Sequence, residues 1–152
     1  MAEISQLPGI EVFAIDSIEQ LVDCLPHRSK YFTLLLAWDA PDLEMEKLKE
    51  LFRPLVDRGL VYLCAWGCRS EDVHDAVDLC VVEKELSEGE ADYLLMTTWH
   101  HDETIEEALW FFQMNAIPAE NRVVVDFSRS AVSVGNPEWA DTLKNLLSSH
   151  NI

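Results

Sequence analysis

Short apolar runs alternate along this chain with stretches whose apolar positions recur at helical spacing. Ile10 to Ile15 reads as a strand. Ser17 and Gln20 form an S-x-x-Q capping box, so a helix starts there and runs to about Cys24, stopping near Pro26. The run YFTLLLAW, Tyr31 to Trp38, has no polar alternation and fits a strand buried on both faces. Asp42 to Arg58 is helical, because Leu48, Leu51, Phe52 and Leu55 share one stripe. Pro54 lies within it and predicts a kink or a break, and Gly59 supplies the stop.

The second half repeats the scheme. Leu60 to Trp66 is a strand. A short helix follows from Ser70 to about Asp78, and LCVVEKEL either extends it or forms an extra edge strand. Ser87 to Asp92 is a polar loop, and Tyr93 to Trp99 is a strand. Thr104 and Glu107 form a T-x-x-E capping box ahead of a helix with Ile105, Leu109 and Phe112 inward, widened by Trp110 and Phe111. RVVVDF, Arg122 to Phe127, reads as the last strand. Asn136 and Pro137 stand at the N-cap and first turn of a closing helix to Ser149. Five β-α units predict one α/β domain over residues 1–152. Its expected form is a three-layer sandwich on a mostly parallel five-stranded sheet, flavodoxin-like or Rossmann-like.

Composition narrows the class. No apolar run approaches the roughly 20 residues that span a bilayer. MAEISQLPGIEVF has neither a basic start nor an apolar signal core, so a cytoplasmic location and reduced cysteines are expected. Of the four cysteines, Cys64 and Cys68 form C-x3-C, which is not zinc-finger spacing. Eleven basic residues face 28 acidic ones, a net −17. Between Glu71 and Asn121 there are 14 acids and one base, Lys84, so that window carries −13. Such a field repels nucleic-acid backbones and anionic membranes and suits a basic protein partner, or simply keeps the chain soluble.

Three strands end alike, in LLLAWDA, YLCAWGC and LLMTTWHH. Trp38, Trp66 and Trp99 are therefore expected at the carboxyl ends of neighbouring strands, where open α/β sheets bind ligands. Asp39, Gly67, Cys68, His100, His101 and Asp102 follow them, while Asp16 and Asp126 belong to the ends of the first and last strands. In a functional reading the indoles wall a crevice. His100 is the candidate general base, and Asp102 or Asp39 orients it. Cys68, at a helix start, is a candidate nucleophile. Trp38, Trp66, Trp99, His101 and Trp110 are candidates for touching a ligand or partner. In a structural reading the aromatics plug the end of the sheet and Asp102 or Thr104 caps a helix. No metal site is expected: His100, His101, Asp102 and Glu103 are consecutive, at most alternate ones converge, and a third ligand would have to come from Asp39, Cys68 or His74. Neither G-x-G-x-x-G nor G-x4-G-K-[ST] occurs, so no cofactor is expected, and no G-x-S-x-G elbow occurs.

The segment TTWHHDETIEEALWFFQMNAIP resembles a family of short uncharacterised bacterial α/β proteins that combine a TTWH strand end with an E-x-x-EALWFF helix. The resemblance covers about a seventh of the chain and implies an α/β fold and a bacterial origin. It transfers no catalytic residue. The leading expectation is a small acidic protein-binding module, immunity-type or accessory, with a basic partner. The alternative is a small enzyme or ligand-binding domain with its site at the carboxyl ends of the strands. A homodimer through the 105–112 helix face is compatible with both.

Overall fold

The computed structural model describes residues 7–118, 124 and 126–149. The strands are β1 (Ile10–Ile15), β2 (Tyr31–Ala37), β3 (Leu60–Trp66), β4 (Met96–His100) and β5 (Phe127–Val134). A 3-10 turn over Ile18–Gln20 leads into α1 (Leu21–Cys24). The other helices are α2 (Met45–Arg58), α3 (Ser70–Glu88), α4 (Ile105–Asn115) and α5 (Pro137–Ser149). All pairings are parallel, in the spatial order β1-β5-β2-β3-β4. The last strand is thus inserted between the first two, unlike the 2-1-3-4-5 order of flavodoxin.

Side-chain alternation divides the molecule into layers. Phe32, Leu34 and Leu36 of β2, with Leu63 and Ala65 of β3, join the core beneath α1, α2 and α3. Leu35, Tyr62, Cys64 and Ala131 face the other way, towards Leu109 and Phe112 of α4 and Leu143 of α5. The chain steps in one direction through β2, β3 and β4 and then returns to β5. A constant crossover hand therefore puts α4 on the face opposite α2 and α3, as found. The expected three-layer parallel α/β architecture is the one observed.

Two open alternatives are narrowed and two expectations are corrected. Pro54 does not divide α2, which is one helical element of 14 residues. Pro54 and Glu50, whose carbonyl loses its partner, both lie on the exposed side, where water replaces the missing bond. The segment 79–86 is helix rather than an extra edge strand, because Val73, Ala76, Val77 and Cys80 continue one buried stripe. β4 begins at Met96, not Tyr93, and includes His100. The last strand is FSRSAVSV rather than RVVVDF. Residues 122, 123 and 125 lie outside the described set, and Val124 is buried outside any strand. Asp126 consequently precedes β5 and stands at the amino end of the sheet, not the carboxyl end.

Candidate functional site

Trp38, Trp66 and Trp99 do lie at the carboxyl ends of the adjacent strands β2, β3 and β4. They do not line one crevice. Trp66 is in register with Ala37 and with His100, while Trp99 is in register with Ala65. Each indole is one residue out of step with its neighbour, and a shift of one residue reverses the face. Trp38, 7% exposed, packs on Phe52 beneath α2 at 6.2 Å between centroids. Trp66 belongs to the opposite layer, donates Nε1–H to the Glu103 carbonyl at 2.8 Å and meets Trp139 edge-on at 5.1 Å. Trp99, 44% exposed, meets the ring of His74 at 4.5 Å.

The loops after β2 and β3 are tied to each other. Trp38 N–H donates to the Trp66 carbonyl at 2.9 Å, and Ala40 N–H donates to the Cys68 carbonyl at 3.0 Å. Asp39 Oδ1 accepts from Cys68 N–H at 2.9 Å. Gly67 has φ +121° and lies so close to the Trp38 carbonyl that an added Cβ would come within 2.3 Å of it. This segment accepts only glycine without rearrangement. Asp39 raises the Cys68 thiol above its ordinary range, mainly by accepting its hydrogen bond and then by charge. That is opposite to the activation expected from the start of α3, so Asp39 suits a loop tie and Cys68 is not primed as a thiolate.

His100 is 4% exposed. Its Nδ1 lies 3.0 Å from Glu103 Oε2 and its Nε2 lies 2.9 Å from Thr98 Oγ1. The Thr98 hydroxyl also donates to Cys64 Sγ at 3.4 Å, and Phe111 lies 4.7 Å from the imidazole. Burial pushes the Cys64 thiol up to about 12, so it is no nucleophile near neutral pH. Asp102 does not orient His100. It has φ +61°, and this left-handed residue turns the chain so that Glu103 reaches back instead. The Asp102 carboxylate is exposed beside His101, at 3.4 Å. Sequence reasoning paired Glu103 with His101 because it assumed strand alternation through residue 103. The contact with Thr98 was legible, since residues 98 and 100 share a strand face. Among the described residues no three His, Cys, Asp or Glu side chains converge in a metal-holding arrangement.

An opening of about 490 Å³ does exist at the carboxyl edge, above β1, β5 and β2. It is lined by Asp16, Trp38, Asp39, Asn136 and Trp139, among others, and contains neither His100 nor Trp66. Asn136 and Trp139 were missed because β5 was placed too early. The remaining candidate, Trp110, lies on the outward side of α4 with its ring largely in solvent.

Exposed apolar side chains are concentrated elsewhere. Of the eight large ones among the described residues, Leu79, Val82, Leu86, Leu94, Met96 and Trp99 lie on α3, on β4 or just before it. Trp110 and Met114 lie on α4. Among the described residues β4 pairs only with β3, so one side of its ladder is an open edge. α3 carries seven acids and one base over Ser70–Glu88. A recess of about 220 Å³ nearby is lined by Val56, Val81, Tyr93 and Leu95, with Glu85, Glu88, Glu90 and Asp92 around them.

A family model described as a domain of unknown function (DUF7684) matches residues 11–150. No curated protein and no solved structure matches the chain.

Proposed function

The chain belongs to this DUF7684 family, whose description assigns no activity, and from that premise we propose that it is a protein-binding module whose partner docks on the α3–β4 border. One observation carries the reading: among the described residues, six of the eight exposed large apolar side chains share that border with the acidic helix α3. Water-facing apolar groups on an open edge strand are a pairing and docking surface. The acids around them select a basic partner and speed its approach. The recess beside Tyr93 suits one apolar anchor side chain of that partner. A second copy of this chain would set seven acids against seven, which disfavours self-association there. An accessory or immunity-type role in the cytoplasm fits such a module.

The test is comparative capture from the native host. Wild-type protein is expected to retain a basic partner at low salt and lose it at high salt. Leu86→Lys with Trp99→Lys should lose it at both. Identical capture by the variant and the wild type would refute the proposed border.

A ligand site at the carboxyl edge is the second reading, favoured by the opening between Trp38 and Trp139. A thermal-shift screen over nucleotides, sugars and divalent metals tests it. A ligand at 100 times its dissociation constant adds about 2.7 kcal/mol.

A further inference from the structure

β5 lies inside the sheet, between β1 and β2, yet it holds a buried cation. Arg129 is 6% exposed. Its Nη1–H donates to the Pro8 carbonyl and its Nη2–H to the Gln113 carbonyl, each at 3.2 Å. Its guanidinium lies 5.8 Å from the Phe112 ring centroid. Gln113 is in the last turn of α4, where helix carbonyls lack partners and the dipole favours a cation. These contacts explain why an arginine can lie here. They leave two things unexplained.

The buried Nε has no hydrogen-bond partner. Among the described residues, no carboxylate forms an ion pair with the guanidinium. A guanidinium has five N–H donors, and the two carbonyls take one each. Scarcity of acids is not the reason in a chain with 28 acidic residues and 11 basic ones. Arg58 makes the contrast clear: it also lies over a ring, Phe32, but donates to three carbonyls and is only partly buried. Burial lowers the Arg129 pKa, and no neighbouring charge counters it. A buried cation without a counter-ion is unfavourable, and a bound anion relieves it.

Arg129 lines a groove of about 980 Å³ between α4, α5 and the segment before β1. Leu109, Trp110, Leu146 and Leu147 provide apolar walls. Glu103, Glu106 and Glu107 line it near the first turn of α4, whereas Gln113 marks the Arg129 end. Glu106 and Gln113 are seven residues apart in α4, about 10 Å of helix rise. We propose that this groove binds an unbranched monocarboxylate, with its carboxylate on Arg129 and its apolar body along Leu109, Trp110 and Leu146. The glutamates exclude a second negative charge, so dicarboxylates and phosphates are poor ligands. This site is separate from the α3–β4 border and does not depend on it.

Titration of the full chain with decanoate, decanol and decanedioate tests the assignment, read by the Arg129 Nε–H resonance and by tryptophan fluorescence. Decanoate should shift the resonance saturably, decanol should leave it in place, and decanedioate should bind at least tenfold more weakly. Arg129→Met should abolish decanoate binding. Should that variant fail to fold, Trp110→Ala, at a solvent-facing position, should weaken decanoate at least fivefold with an unchanged circular-dichroism spectrum. Decanol binding as well as decanoate, an unmoved Nε–H resonance at saturation, or full affinity in Trp110→Ala would each overturn the proposal.

Discussion

The centre of the sheet's carboxyl edge and the α3–β4 border differ in what they leave unsatisfied. At the centre, Trp38, Asp39, Ala40, Trp66, Gly67 and Cys68 close on one another through four specific contacts, and little apolar surface remains. At the border the backbone ladder stops at β4, and Leu86, at 82% exposure, is nearly bare. The sequence of the centre resembles that of a site, with tryptophan, aspartate and cysteine together, but its geometry is that of a joint. The border has none of the usual chemical signals, yet it leaves apolar side chains and an open strand edge facing water. Reactive residue types alone do not identify a functional surface, because the same groups also tie loops.

Substitutions should separate the two regions by size of effect. Phe52→Ala, beneath Trp38, should destabilise by roughly 3–5 kcal/mol in denaturant unfolding, because the side chain is fully buried. Gly67→Ala should cost about 1–3 kcal/mol from backbone strain alone, with more from the collision with the Trp38 carbonyl. A stability equal to wild type would show that this joint is looser than described.

Adjacent residues of β4 sharpen the contrast. His100→Ala strands Thr98 and Glu103 and should cost about 2–3 kcal/mol, whereas Trp99→Ala should cost about 1 kcal/mol or less, as befits a half-exposed side chain. The reverse ranking by thermal denaturation would show that the indole, not the imidazole, fastens this edge.

The pH profile probes the α2–α3 contact next to the border. Hydrogen bonds from Lys49 and then Arg53 depress the Glu83 pKa below 4.5. Its contribution is present above that value and is lost as pH falls through the depressed one. Glu46 and then Glu83 raise Lys49 above 10.5. That contribution is present below 10.5 and is lost as pH rises through the raised value. Urea midpoints should therefore fall at acid pH as Glu83 is protonated, and at alkaline pH from about 9, where the unfolded Cys64 thiol ionises but the buried one does not; Lys49→Met should make only the fall above 10.5 shallower. The smallest effect belongs to Leu86→Lys, which should change stability by no more than about 0.5 kcal/mol while removing partner capture.

The layers were legible because buried runs such as YFTLLLAW, short and bounded by turn residues, fit a two-sided strand, and both capping boxes formed where their residues stand. β5 was not legible. Its serines and arginine look like a loop beside RVVVDF, and only pairing with β1 and β2 makes FSRSAVSV the better strand. The candidate site failed on register: strand ends that look alike, LLLAWDA and YLCAWGC, place their indoles on opposite faces. A single left-handed residue, Asp102, was enough to exchange His100's partner.

The insertion of β5 also bears on how the chain reaches its native state. Among the described strands β1 has no neighbour except β5, and β2 shares the same strand on its other side. During synthesis the opening segment must wait, unpaired, until residues 127–134 emerge, and closing that long loop slows the final assembly. A nascent chain arrested before residue 127 is thus the form most exposed to chaperones and to aggregation.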